Sequence, residues 1–171
     1  MKTARQGKSE KGATLTELII LTPILLTLIL ASVDLGRLVF ARQVLTDLSR
    51  EAANLVSRGA SAEEAFSATL VAEQAFDLEQ SGMIIISRVR RQTPTNDTPW
   101  VVEQDVHGRV SGIQSHIGIL NGKASIPKMK SVEQGVTFTA VELFHTFEPA
   151  FNFATLGLDI YPTILYDAAF F

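Results

Sequence analysis

The sequence predicts an α+β fold in which one long N-terminal helix packs on an antiparallel sheet. Three observations carry that expectation. Residues 13–58 place apolar residues at helical intervals and hold only one proline, so nothing stops the helix. The runs rich in β-branched residues all come later, as MIIISRVRR, WVVEQDV, GVTFTAVELFHTF and LDIYPTILYDAAFF. Helices first and strands afterwards is the order of an α+β domain rather than of alternating βαβ units.

A length of 171 residues suits one domain with an appendage. With no cysteine there is no disulfide framework, no thiolate zinc site and no cysteine nucleophile. The formal net charge of −3 is unevenly spread: Lys2, Arg5, Lys8 and Lys11 against Glu10 make residues 1–12 +3, which leaves −6 for the remainder. A basic tip on an acidic body argues against a nucleic-acid partner, which would need the positive face on the folded domain.

The basic tip abuts an apolar run. Leu18 to Val33 are sixteen uncharged residues, and Ala13 to Glu17 extend the segment to twenty-one. At about 1.5 Å per helical residue the longer segment spans the roughly 30 Å hydrocarbon core, so membrane lipid is an expected partner. Four basic residues precede the run, while Arg37, Arg42 and Arg50 follow it, which favours a cytoplasmic N-terminus by a small margin. Three readings compete: a removed secretory signal peptide, an uncleaved signal anchor, and a third that depends on the downstream chain. The first lacks a clean pair of small residues at a cleavage site within LILASVDLG.

Beyond Val33 the helix continues as an amphipathic one. Leu38, Ala41, Leu45, Leu48, Ala52 and Leu55 form one stripe, and Arg37, Arg42, Gln43, Asp47, Arg50 and Glu51 lie largely off it. Gly59 is a suitable stop. Ala13 to Arg58 thus reads as one helix, a membrane-spanning half over 13–33 and an amphipathic half over 34–59. Pro23 lacks an N–H and clashes with the preceding turn, so a kink is expected there, tolerable in lipid and equally open to a packing role.

Residues 60–171 form the α+β head. Ser61-Ala62-Glu63-Glu64 is a capping box, and the following AEEAFSATLVAEQAFDLEQ reads as a helix ending near Gly82. MIIISRVRR and WVVEQDV are expected to pair antiparallel across the turn-rich TPTNDTP. Gly108 to Ser131 is polar and glycine-dotted, and no element is assigned to it. Pro162, inside the last strand candidate, points to an edge or a bulge. Trp100 is a candidate contact, though a loop-anchoring core tryptophan is the preferred reading.

No catalytic constellation stands out. His107, His116 and His145 lack metal-ligand spacing and read as surface or strand residues. A glycine-rich phosphate loop, a Gly-x-Ser-x-Gly elbow and a His-Glu-x-x-His pair are all missing. The expectation is a protein that is not an enzyme and needs no cofactor or metal.

Glu17 is the one charge between Ala13 and Val33. Thr14-Leu15-Thr16-Glu17 is itself a capping box, so Glu17 can be read as a helix cap. A second reading comes from a resemblance. Gly12, then Ala13 with Glu17 at the fifth position, an apolar helix and an amphipathic continuation resemble the N-terminus of type IV pilins and pseudopilins. More narrowly, Glu17 with Pro23 six residues later and VDLGRLVFARQVLTDLSREAANLVSRG downstream looks like the TadE-like minor pilins of tight-adherence (Tad/Flp, type IVb) pilus systems. The closing VTFTAVELFHTFEP and LGLDIYPTILYDAAF are loosely similar to the end of that family, whereas residues 60–130 match nothing recognisable.

The resemblance implies that residues 1–12 are a leader, cut between Gly12 and Ala13 by a prepilin peptidase. It implies that Glu17 then meets the new α-amino group of a neighbouring subunit, with Pro23 in the same assembly helix. Partners would be that peptidase, major and minor pilus subunits and an inner-membrane assembly platform, with the head in the periplasm and possible incorporation in a surface pilus. Leu18 in place of an aromatic residue, the missing cysteines and the chain length favour a minor component. The alternative is a signal-anchored periplasmic binding or envelope protein that uses the helix as a tether.

Overall fold

The computed structural model describes residues 6–72, 78–93, 96–110, 112–126, 136–151 and 161–171. Helix α1 runs unbroken from Gln6 to Ser57 with Pro23 inside it. Among the described residues it is already helical at Gln6, upstream of Ala13, because QGKSEKG holds neither a proline nor a stop signal, and its two glycines each weaken a helix by only about 1 kcal/mol. That overturns the cap reading of Thr14 to Glu17 for the uncut chain: helix precedes Thr14, so its turn has no orphan amides to cap.

The chain divides into two compact units, one of Met1–Val39 with Pro149–Ile160 and one of Phe40–Glu148 with Tyr161–Phe171. The second unit is the head. Its part of α1 buries Ala41, Val44, Leu45, Leu48, Ala52, Ala53 and Val56. Four of these are in the stripe read from periodicity; Leu55 is only half-buried, and Val44, Ala53 and Val56 take the rest of the contact. Each fully buried leucine or valine stabilises the packing by about 1.5–3 kcal/mol.

The helix ends as expected. The Gly59 N–H donates to Val56 O at 2.9 Å and the Ala60 N–H to Leu55 O at 3.1 Å, with Gly59 at φ 98°. Those two bonds are a Schellman cap, and the left-handed residue they require is the glycine. The Ser61 N–H donates to Glu64 Oε2 at 2.9 Å and the Glu64 N–H to Ser61 Oγ at 3.2 Å, the reciprocal capping box that starts α2, Ala62–Ala72. A short α3 covers Leu78–Ser81; whether α2 continues into it lies outside the described residues.

Four strands follow: β1 Gly82–Thr93, β2 Asn96–Gly108, β3 Phe138–Thr146 and β4 Ile164–Phe170. They form one sheet in the order β2-β1-β3-β4, antiparallel throughout. Pairing of β1 with β2 agrees with the expectation, although the tip of the turn between them lies outside the described residues. Pro162 lies before β4 rather than inside it; the ladder begins past the proline, where the Phe147 N–H donates to Thr163 O at 2.9 Å.

Alternation along the strands sets Ile84, Ile86, Val141, Leu143, Leu165 and Asp167 on one face, and Met83, Ile85, Ser87, Val89, Ala140, Glu142 and Phe144 on the other. The first face carries α1, whose Ser49 hydroxyl donates to the Asp167 carboxylate. The second is covered by residues 109–110 and 112–126, which carry no strand or helix signal in the sequence. Val110 and Ile113 pack on Met83, Ile85 and Phe144, while Ile117 and Ile126 join Val89, Val101 and Ala140. Cover on both faces explains why β1 and β3 read as apolar runs and not as alternating patterns.

The same segment borders β2. Gly122 O accepts from the Val101 N–H, and the Asn121 and Ala124 N–H groups donate to Val101 O and Pro99 O, each at 2.9 Å. Half-buried Trp100 bridges to Lys123 there. This close approach requires Gly118: at its φ of 145° an added Cβ would lie 2.6 Å from Lys123 O.

Candidate functional site

The apolar half of α1 has no apolar face because it is apolar all round. Leu18, Ile19, Ile20, Leu21, Ile24, Leu25, Leu26, Leu28 and Ile29 are each more than half exposed. At about 1.5–3 kcal/mol for the full burial of a large side chain, leaving these in water forgoes on the order of 10 kcal/mol. That is comparable to the stability of a whole domain, about 5–15 kcal/mol, so exposing this segment to water is strongly unfavourable. It is a helix long and apolar enough to cross a membrane. Its few hydroxyls are satisfied internally: Thr22 Oγ1 donates to Leu18 O at 2.6 Å, Thr27 Oγ1 to Pro23 O at 2.8 Å and Ser32 Oγ to Leu28 O at 2.7 Å.

Gly12 and Ala13 lie within the first turns of α1. Glu17 is exposed, and among the described residues its carboxylate meets no basic side chain. Pro23 follows without ending the helix. At about 100° per residue it is about 120° around the axis from Glu17, so the two do not share a face.

At the other end of the apolar run is a carboxylate, Asp34, that flanks it immediately. Asp34 is fully buried. Its Oδ1 accepts from the Ala150 N–H and its Oδ2 from the Phe151 N–H, both at 2.9 Å, and Arg37 Nη1 lies 3.1 Å from Oδ1. All of these belong to the first unit. The available signal was its place as the first charge after sixteen uncharged residues; its partners could not be read from the chain.

A second carboxylate had no signal at all. Glu142, fully buried on β3, accepts from the Ser115 hydroxyl, from the His116 N–H at 2.8 Å and from the Tyr166 hydroxyl at 3.2 Å. Ser115 Oγ in turn accepts from the Ile117 and Gly118 N–H groups at 3.1 and 3.3 Å. Gln104 Nε2 adds bonds to Ser87 Oγ and Gly118 O, each at 2.9 Å. The network clasps the 112–118 stretch to the sheet. Burial, then the neighbouring Glu142 carboxylate, its hydrogen bond, and Asp167 push the Tyr166 phenol well above the usual tyrosine range.

The histidines serve packing. The His116 ring sits 5.4 Å from Phe144 and 4.2 Å from Tyr166, His107 meets Phe66 edge-on at 5.3 Å, and buried His145 Nδ1 is 3.1 Å from Ser81 Oγ.

Residues 12–54 match the family model described as TadE-like protein. The matched stretch contains Gly12, Ala13, Glu17, Pro23 and Asp34, and it ends within the docked half of α1. The four-stranded sheet lies outside it. No curated protein and no solved structure matches the chain.

Proposed function

We propose, from the match of residues 12–54 to the TadE-like protein family model, that the chain is a minor pilin of a Tad pilus system joined to its neighbours through α1. The observation that carries the proposal is the segment Leu15 to Ile29, exposed on every side, with Glu17 at its entrance meeting no basic side chain among the described residues. Lipid accepts the apolar surface but not an isolated charge, which costs several kcal/mol to bury unpaired. Cleavage between Gly12 and Ala13 by a prepilin peptidase supplies the missing partner, an α-amino group on Ala13 of a neighbouring subunit.

Cleavage also changes Glu17's local setting. With residues 1–12 gone the helix begins at Ala13, and Thr14 to Glu17 becomes its first turn, where a carboxylate favours the positive helix end. The cap that is ruled out in the uncut chain is thus available in the processed one. Gly12 suits the cut because glycine weakens the helix locally and brings no side chain into a protease subsite.

On this reading the N-terminus is cytoplasmic, the helix crosses the bacterial inner membrane once, and the head is periplasmic until the subunit enters a pilus. Its partners are the peptidase, other pilins and the membrane assembly platform, and it acts by assembly, without catalysis. The intact mass and N-terminal residue of the membrane-extracted protein test the proposal. A start at Ala13 supports it, whereas a retained Met1 or basic leader supports a simple tether and a cut near Ser32 overturns both.

A further inference from the structure

We infer that the turn at Pro149–Phe151, fixed to α1 by Asp34, is a second membrane contact that rests in the lipid headgroup layer beside the exit of the helix. The inference rests on the membrane-anchor reading of α1. It starts from a charge in an odd place: Asp34 is the first charged residue past the apolar run, yet it is fully buried. Its two oxygens are each taken by a backbone N–H, those of Ala150 and Phe151, at 2.9 Å. Two bonds from consecutive amides to one carboxylate fix both the position and the direction of that backbone against the helix.

The depth follows from the helix. With about 1.5 Å of rise per residue, Asp34 lies about 1.5 Å beyond Val33 along the axis, and each bilayer interface is about 5–7 Å deep. If the uncharged run up to Val33 fills the hydrocarbon layer, a backbone hydrogen-bonded to Asp34 lies in the interface. Lipid continues on the helix surface at this level, where Val33 and Leu35 are 50% and 55% exposed.

The sequence of the pinned segment suits that place. Pro149, Ala150 and Phe151 are all uncharged, an aliphatic and an aromatic side chain among them. An uncharged stretch with aromatic and aliphatic side chains is stable against the headgroup and acyl boundary, where a charged one would stay in water. Phe151 is the described residue best placed to enter it, being half-buried and carrying one of the two pinned amides. The chemistry selects a lipid surface as the occupant, since the contact is continuous with the apolar helix surface and the 149–151 turn itself carries no charge to match a charged protein patch.

The chain lacks cysteine, so single-cysteine variants can be labelled cleanly with a small environment-sensitive fluorophore. The full chain with Leu25→Cys, Phe151→Cys or Gln114→Cys is reconstituted in phosphatidylcholine vesicles that carry a quencher either near the headgroup or near the acyl-chain end. The expected result is loss of emission at residue 25 to the deep quencher, loss at residue 151 mainly to the shallow one, and a smaller loss at exposed head residue 114. Adding Asp34→Ala to the Phe151→Cys chain is expected to remove the shallow quenching. If residue 25 is quenched while residue 151 behaves like residue 114, the second contact is overturned and the anchor stands. Quenching of residue 151 mainly by the deep probe, or unchanged by Asp34→Ala, overturns the pinned headgroup position. If residue 25 itself escapes the deep quencher, the anchor reading falls as well.

Discussion

Ser49 on α1 and Asp167 on β4, 118 positions apart, are joined by a hydrogen bond from the hydroxyl to the carboxylate. Ser49 is fully buried, and Asp167 lies half-buried on the sheet face that carries the helix. This bond ties the first element to the last. Ser49→Ala is therefore expected to destabilise the head by about 1.5–3 kcal/mol, the range for a hydrogen bond to a charged group. Denaturant unfolding of the detergent-solubilised chain measures it, and a loss below about 0.5 kcal/mol would show the bond to be incidental.

The two halves of α1 should respond oppositely to truncation. Leu45→Ala removes a buried side chain from the helix–sheet contact and is expected to cost the head about 2–5 kcal/mol. Leu25→Ala removes an exposed one and should leave head unfolding unchanged while weakening membrane retention. Equal effects on head stability would contradict the division of labour along the helix.

Glu142 is expected to control the 112–118 stretch. Glu142→Ala leaves the Ser115 hydroxyl, the His116 N–H and the Tyr166 hydroxyl without their acceptor, a loss of about 2–4 kcal/mol. Amide hydrogen exchange at His116 to Gly118 should accelerate well before that of β1 and β3. Uniform acceleration across the sheet would instead mean that the clasp is not a local device.

Tyr166 gives a pH dependence with a definite sign. Its folded-state value is raised, so the protonated phenol is favoured by folding, and that contribution is fully present below the ordinary tyrosine range. It is lost as pH rises through the folded-state value. Alkaline unfolding of the wild type should therefore have a limb above about pH 10 that Tyr166→Phe reduces. An identical alkaline limb in Tyr166→Phe would assign that limb to other groups.

On the proposed pilin reading, Glu17→Val is expected to leave cleavage after Gly12 intact and to impair incorporation into pili, because the change would remove the charge proposed to face the neighbour's amino group and not the protease site. Immunoblots of sheared pili and of membranes separate the two steps. Normal incorporation of the variant would count against a pairing role for Glu17.

Much of the architecture was legible because its signals are local. The stripe at Ala41, Leu45, Leu48 and Ala52 needs only helical spacing, and Gly59 and Ser61 to Glu64 write their own caps within one turn. The strands announced themselves by β-branched composition, and their boundaries shifted by a few residues, most at β4, which begins past Pro162 at Ile164. The N-terminal start of α1 was misread for the same local reason: the Thr14 to Glu17 pattern looks like a cap, but nothing upstream of it ends a helix.

The sequence alone determined that an apolar helix with a lone carboxylate at its entrance continues into an amphipathic one, and that strands follow, because spacing and composition over a few turns dictate these. Only the tertiary structure decided what Asp34 and Glu142 do. A buried carboxylate is stable only where donors converge on it, and those donors come from Phe151, 117 positions away, and from His116 and Tyr166, 26 and 24 positions away. Such partners are chosen by the path of the whole chain, which no local pattern encodes.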